Sequence, residues 1–308
     1  MSRAIRKVIG RLSTGIVTVY LAATIVFSLA RGTGDPARQI LGAEASPEAV
    51  TQLQSELGLD KPLLAQYSDF LLDLVTGDLG TSIRYGASNA ELIFSRLGNS
   101  ILLTAVSVTA GSIIGYLIAF LGATQRGRMW DKLSTSVAGI AQSIPPFWLG
   151  LVLVYFFSIR LDWLPSGGTG SWEHVILPAV AIAVVPLAYV TRVGRTSIVS
   201  VLSEDYVLAA RSRGFSGRQV LLKHVLRASA IPVVTVVGLL TGVILSSTVT
   251  VEVVFSWPGI GSLVNQAVQG RDFPLLQALA IVCAVLFVLI NFIVDLLYEV
   301  LDPRIRTS

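Results

Sequence analysis

Carboxylates at the ends of long apolar segments are the residues of this 308-residue chain best suited to chemistry. Asp295 and Glu299 close the last apolar run, and Glu252 closes the run before it. An ionised group near a bilayer centre costs about 2.5–3.5 kcal/mol on insertion scales, so a central carboxylate is a proton-relay candidate. Asp295 and Glu299 stand near one end of their run, where a structural reading also holds: contact with headgroups or with Arg304. Glu252 adjoins the segment Phe255-Ser256-Trp257-Pro258-Gly259-Ile260-Gly261, which makes it, with Phe255, Trp257, Pro258 and Gly259, a candidate outer gate. The two histidines, His174 and His224, fall on opposite sides of the apolar segments and cannot share a metal. Neither has the cysteine or carboxylate company of a zinc or hydrolase centre, and Ser256 has no base beside it. The single cysteine, Cys283, excludes an intrachain disulfide and reads as an inert buried thiol. Gly167-Gly168-Thr169-Gly170 is glycine-rich but lacks the lysine of a phosphate-binding G-x-x-x-x-G-K-[ST] loop, so no nucleotide site is expected on this chain.

The elements that carry these residues follow from composition. Hydrophobic residues make up 53% of the chain and charged residues 14%, and the mean hydropathy is +0.72. A soluble domain carries about 25% charged residues, so the chain belongs to the all-α integral membrane class. No basic face interleaved with aromatics appears, which excludes nucleic acid as a partner. A spanning helix needs about 20 apolar residues, and six stretches are long enough: 12–30, 99–123, 133–159, 175–191, 228–251 and 275–298. The fourth is short and contains Pro178 and Pro186; Pro145, Pro146 and Pro232 also fall in or beside spans. Small residues such as Gly111, Ser112, Gly238 and Gly242 suit close helix packing in lipid. Trp130, Trp148, Trp163, Trp172 and Trp257 read as interface anchors.

Lys and Arg set the orientation. Sixteen lie in one set of alternate loops, among them Arg3, Lys7, Arg126, Arg192, Arg211, Arg218, Lys223 and Arg304, against seven in the other set. The positive-inside rule therefore puts both termini in the cytoplasm, as six spans require. Ser28-Leu29-Ala30 resembles a signal-cleavage site, but the apolar run is longer than a signal core, so the first segment is read as a retained span. This yields three parts: residues 1–30 with the first span, an acidic external loop over 31–98, and a five-helix core over 99–308. In the loop, Ser46 caps a short helix over 48–57 that ends at Gly58. A second helix follows Pro62 and carries Leu63, Leu64, Tyr67, Phe70 and Leu71 as an apolar stripe. That stripe suits either the membrane surface or an external protein.

The internal loop over 192–227 is the most basic segment. Ser203 is expected to cap a helix whose first turn holds Glu204 and Asp205, and which stops at a left-handed Gly214. Ser216 and Gln219 form a capping box for a second helix, with Val220, Leu221, Leu222, Val225 and Leu226 as one stripe. Ala209 and Ala210 beside the glycine corner leave a low knuckle flanked by Arg211 and Arg213. Such a shape fits a partner's groove or an anionic lipid surface.

Tyr206-Val207-Leu208-Ala209-Ala210-Arg211-Ser212-Arg213-Gly214 resembles the EAA loop of permease subunits in ATP-binding-cassette importers. The two alanines and the glycine match, while Leu208 stands at the leading glutamate position and Arg227 at the tail proline position. Those departures resemble one branch of the family, the B-type permeases of dipeptide and oligopeptide importers. Gly77-Asp78-Leu79-Gly80-Thr81-Ser82, Pro145-Pro146-Phe147-Trp148-Leu149-Gly150, Arg271-Asp272-Phe273-Pro274 and Leu301-Asp302-Pro303-Arg304 match that branch in order. The resemblance implies a six-helix importer-permease (MetI-like) bundle in a bacterial inner membrane. It also implies a second homologous permease, two cytoplasmic ATPase subunits or domains that hold ATP and Mg, and an external solute-binding protein. Tyr206, Ala209, Ala210, Arg211, Arg213 and Gly214 would then form the coupling region that docks on an ATPase. The implied cargo is di- or oligopeptide, with nickel, glutathione and haem as the branch's other solutes. A proton-driven transporter working through Glu252 or Asp295 is the competing class.

Overall fold

The computed structural model describes residues 3–32, 36–42, 45–56 and 58–301, and these are almost wholly helical. In chain order the elements are α1 (Arg3–Gly32), α2 (Pro36–Leu41), α3 (Pro47–Glu56), α4 (Leu63–Thr76), α5 (Asn89–Thr124) and α6 (Met129–Ser143). Next come α7 (Pro146–Leu153, continued by a π turn to Arg160), α8 (Glu173–Leu202), α9 (Asp205–Ser212) and α10 (Gly217–Val220). A second π turn over Leu221–Val225 leads into α11 (Leu226–Ser247), followed by α12 (Val249–Val254), α13 (Ile260–Gln269) and α14 (Phe273–Leu301). Among the described residues, four runs are long and apolar enough to cross a membrane: Asn89–Thr124, Glu173–Leu202, Gly217–Leu245 and Phe273–Val294. Within α1 the apolar stretch is Ser13–Leu29.

Prolines account for two departures from expectation. The unbroken third span over 133–159 is instead a pair, Met129–Ser143 and Pro146–Arg160, bent by 95°. Ile144 (ψ 119°) and Pro145 (ψ 131°) are both extended, the conformation that a following proline favours, and Pro146 then opens α7 at a position that needs no N–H. Pro178 and Pro186, by contrast, sit inside a continuous α8. The supposedly short fourth span is therefore a helix of 30 residues that runs on through Arg192 and Arg195, and the internal loop begins only at Ser203. The fifth span ends at Ser247, so Glu252 belongs to the separate α12 rather than to a span end.

The chain divides into two compact units. One comprises Met1–Gly98 with Gly259–Leu289, the other Asn99–Pro258 with Ile290–Ser308. In the second unit α8 is central and packs against α6, α7 and α11. Gly111 and Gly115 make the α5–α8 approach possible: a Cβ on Gly111 would strike the Ala183 carbonyl, and one on Gly115 would lie 2.7 Å from the Leu187 carbonyl. In the first unit, Ile93, Leu263, Ala267, Leu275 and Leu279 form a core around α13, an amphipathic helix not foreseen from the sequence. The Ser46-capped helix and the turn at Gly58 (φ +63°) are as expected. On α4, Tyr67 and Phe70 meet Phe27 of α1 with ring centroids 5.2 and 5.5 Å apart, while Leu63 and Leu64 stay exposed.

Candidate functional site

α9 has two faces. Val207 and Ala210 are buried with Ala119 and Ala123 at the end of α5, Ile198 of α8, and Val220 and Val225 of the following helix. Ala210 is only 7% exposed, so the expected exposed pair is in fact one buried and one exposed alanine. The reason is helical spacing: positions 207 and 210 share the inward face, and 209 turns outward with Tyr206 and Arg213. Leu208 and Phe215, which the sequence did not mark as site residues, extend the exposed Tyr206 into an apolar rim. The side chain of Arg211 lies outside the described residues. Gly214 adopts φ +83°, a conformation that favours glycine, and makes the corner. Beyond it the capping box is complete: Gln219 N–H donates to Ser216 Oγ (3.3 Å) and Ser216 N–H to Gln219 Oε1 (3.0 Å). Two local expectations fail. Ser203 terminates α8 and donates its hydroxyl to the Ser200 carbonyl, because α8 runs about three turns beyond the expected end at 191. Leu222 is 51% exposed and falls off the stripe where the π turn shifts the helical phase.

Arg192 and Arg195, counted above only among the Lys and Arg that orient the chain, form a clasp on α8. Arg195 Nε donates to Asp131 Oδ1 at 2.6 Å, Asp131 Oδ2 accepts the Gly127 N–H at 2.9 Å, and Arg192 Nη2 donates to Gln142 Oε1 at 2.6 Å. This fixes the 124–131 turn to the helix that leads into α9.

Glu252 is fully buried. Its Oε1 accepts hydrogen bonds from Ser100 Oγ at 2.6 Å and Thr248 Oγ1 at 3.3 Å. Trp257 is buried rather than an interface anchor: its indole N–H donates to the Asn99 carbonyl at 3.1 Å, and Asn99 Nδ2 donates to the Pro258 carbonyl at 2.9 Å. Phe255 is 1% exposed and sits against two glycines. A Cβ on Gly150 would lie 2.9 Å from its ring, and a Cβ on Gly167 would collide with its carbonyl. Gly168 N–H donates to that same carbonyl at 2.8 Å. Three motifs far apart in sequence thus close on one aromatic residue. Gly259, in the other unit, is extended and precedes α13.

Asp272 ties two further motifs together. It is 1% exposed and accepts from the Ser82 hydroxyl and from the N–H groups of Arg84 (3.2 Å), Ile83 (3.4 Å) and Leu275 (3.2 Å). Asn89 Nδ2 donates to the Leu79 carbonyl at 2.8 Å and holds the start of the same turn. The histidines remain apart. His174 Nδ1 pairs with Ser171 Oγ at 3.0 Å, and His224 meets the Phe215 ring edge-on. Among the described residues no group of three or more potential metal ligands occurs. The side chains of Asp295 and Glu299, together with all of Asp302, Pro303, Arg304 and Arg306, lie outside the described residues.

Comparison with known proteins places this architecture. Residues 111–307 match the family described as "Binding-protein-dependent transport system inner membrane component", and residues 4–99 match its N-terminal companion. The glutathione transport system permease protein GsiC of Escherichia coli K12 is 40% identical over 300 residues, covering 97% of this chain and 98% of the relative. The protein of the same name from Shigella flexneri serotype 5b is equally similar over the same span. Among solved structures, the MetNI methionine ABC transporter in an inward-facing conformation aligns with a TM-score of 0.58 at 17% identity, covering 68% of this chain and 96% of the other. An amino acid ABC transporter with histidines aligns at 0.56 and 19%, covering 68% and 94%. The chain belongs to the binding-protein-dependent transport family of inner membrane components and is a permease subunit of an ATP-binding-cassette importer.

Proposed function

We propose that this permease carries small peptides, glutathione among them, inward across the bacterial inner membrane. The observation that carries this reading is 40% identity, over nearly the whole length of both chains, to a permease named for glutathione transport. Glutathione is itself a tripeptide, so that name and the peptide-importer motifs point to one solute class. Six spans with both termini in the cytoplasm fit the distribution of Lys and Arg, with α1 and the bent α6–α7 pair each counted as one span. A second permease completes the pathway, two ATPases bind ATP and Mg below it, and an external protein delivers the solute.

In this reading the exposed face of α9 (Tyr206, Ala209, Arg213 and the Gly214 corner, with Arg211) docks in an ATPase groove. Ala209 allows close approach, and the arginines reach acidic or carbonyl acceptors at the rim. ATPase closure then moves α9, and its buried face transmits the displacement to the ends of α5 and α8 through Ala119, Ala123 and Ile198. The Glu252–Ser100 and Phe255–Gly167 contacts make the opposite end a compact gate. Uptake of labelled glutathione by cells expressing the whole importer, challenged with a panel of di- and tripeptides, tests the cargo. Competition by several peptides is expected; a panel without effect, or import of nickel or haem alone, reassigns the solute.

A further inference from the structure

One cavity shares no lining residue with the coupling face or with the Glu252–Phe255 gate. It lies wholly within the first unit and has a volume of about 590 Å³, bounded by the end of α1, by α4, by the turn over 78–83 and by the start of α14. Its wall carries both signs of charge. Arg31 is partly buried, and burial lowers its pKa from the ordinary value. Its Nε donates to Gln66 Oε1 at 2.8 Å, and its guanidinium lies 5.2 Å above the Phe27 ring. Gln66 is held in turn by the carbonyls of Leu59 and Lys61, so the arginine is positioned through a fixed support. Among the described residues no carboxylate lies within ion-pair reach of Arg31, and its terminal nitrogens find no acceptor. Asp73 and Asp78 line the same cavity, whereas Lys61 is already paired with Asp69 at 2.7 Å.

A partly buried guanidinium without an anion is costly, and a phosphate satisfies it through two parallel hydrogen bonds. Nearby carboxylates repel a simple anion, so the matching ligand carries a cation a few bonds from its phosphate. The cavity also stands at a polar–apolar boundary. Arg31 follows the apolar stretch Ser13–Leu29 by two residues, and Phe273 opens the run Phe273–Val294. Phe70, Leu74 and Ile281 supply apolar wall. We propose that this cavity binds a phospholipid with a primary-ammonium headgroup, a phosphatidylethanolamine: phosphate on Arg31, ammonium toward Asp73 and Asp78, and acyl chains along α1 and α14. A free dipeptide offers the two charges but not the chains. The orientation proposed above makes this an outer-leaflet site; the binding itself does not depend on the transported solute.

Native mass spectrometry of the delipidated full chain, titrated with phosphatidylethanolamine, phosphatidylcholine and phosphatidylglycerol of matched acyl chains, tests this. Phosphatidylethanolamine is expected to be retained about tenfold more tightly than the other two, and Arg31→Gln to lose about tenfold of that affinity, as befits loss of hydrogen bonds to a charged group. Asp73→Asn should narrow the preference over phosphatidylglycerol while leaving lipid bound. Equal retention of all three headgroups, or unchanged binding in a folded Arg31→Gln, overturns the proposal. So does displacement of the lipid by millimolar alanyl-alanine, which would assign the cavity to free peptide. If Arg31→Gln does not fold, the headgroup series on the unaltered chain and on Asp73→Asn still decides.

Discussion

Ala209 and Ala210 are neighbours of identical chemistry, yet the same substitution should fail at each for a different reason. Ala210→Glu places a carboxylate among Ala119, Ala123, Ile198, Val207, Val220 and Val225. An unpaired buried charge costs about 3–5 kcal/mol, and the added volume about 1–3 kcal/mol more. Together these rival the roughly 5–15 kcal/mol that stabilises a typical folded protein, so Ala210→Glu should be lost from the membrane. Ala209→Glu points outward, where substitutions cost within about 0.5 kcal/mol, so the chain should insert at normal abundance. Its defect should appear only on docking. A carboxylate and its extra volume at a close-approach contact are expected to weaken ATPase association by at least about 1.4 kcal/mol, a factor of ten. The assay measures inserted protein by immunoblot, co-purified ATPase and initial uptake rate for both variants in parallel. Full ATPase recovery and uptake by Ala209→Glu would refute the docking role of this face. Normal abundance of Ala210→Glu would refute the packing on which its inward orientation rests.

Other positions separate local packing from function. Asp272→Ala removes the acceptor for the Ser82 hydroxyl and three backbone N–H groups; at about 1–3 kcal/mol per orphaned buried donor, the thermal midpoint in detergent should fall and the 77–88 turn should become protease-sensitive. An unchanged midpoint contradicts the bracing of that turn by Asp272. Gly167→Ala drives a methyl group into the Phe255 carbonyl and should destabilise by about 1–3 kcal/mol, whereas Gly139→Ala, with nothing within 4 Å, should be neutral or stabilising by up to about 1 kcal/mol. Equal melting temperatures for the two would remove the Phe255 contact from the account. Ser100→Ala takes one donor from the buried Glu252 carboxylate and should cost about 1–3 kcal/mol, read as a lower midpoint that Ser100→Thr restores in part.

Much of the architecture was legible because its signals are local. Apolar runs of sufficient length marked α5, α8, α11 and α14, and the S-x-x-Q box and Gly214 marked the corner after α9 to the residue. Less was legible where the outcome depends on a tertiary partner. Apolar length alone did not show that Pro145 and Pro146 bend the chain by 95° while Pro178 and Pro186 are absorbed into α8. α8, packed against α6, α7 and α11, carries its two prolines without a break. Ser203 looked like a cap because serine before two acids usually is one, but α8 claimed that residue first. The long-range partnerships of Asp272 with Ser82 and of Phe255 with Gly150 and Gly167 carried a signal only as motifs, and their geometry waited on the fold. Periodicity would have separated Ala209 from Ala210 had Val207 been taken as the inward anchor of α9.

Reconstitution tests the central claim most directly: tag this chain, purify it in mild detergent with whatever remains attached, and measure glutathione uptake into proteoliposomes with and without internal ATP. The account predicts that a second permease and an ATPase co-purify, and that uptake requires ATP and the external binding protein while surviving a protonophore. Uptake by the chain alone, abolished by the protonophore and indifferent to ATP, would contradict it and return Glu252 and Asp295 to the centre of the mechanism.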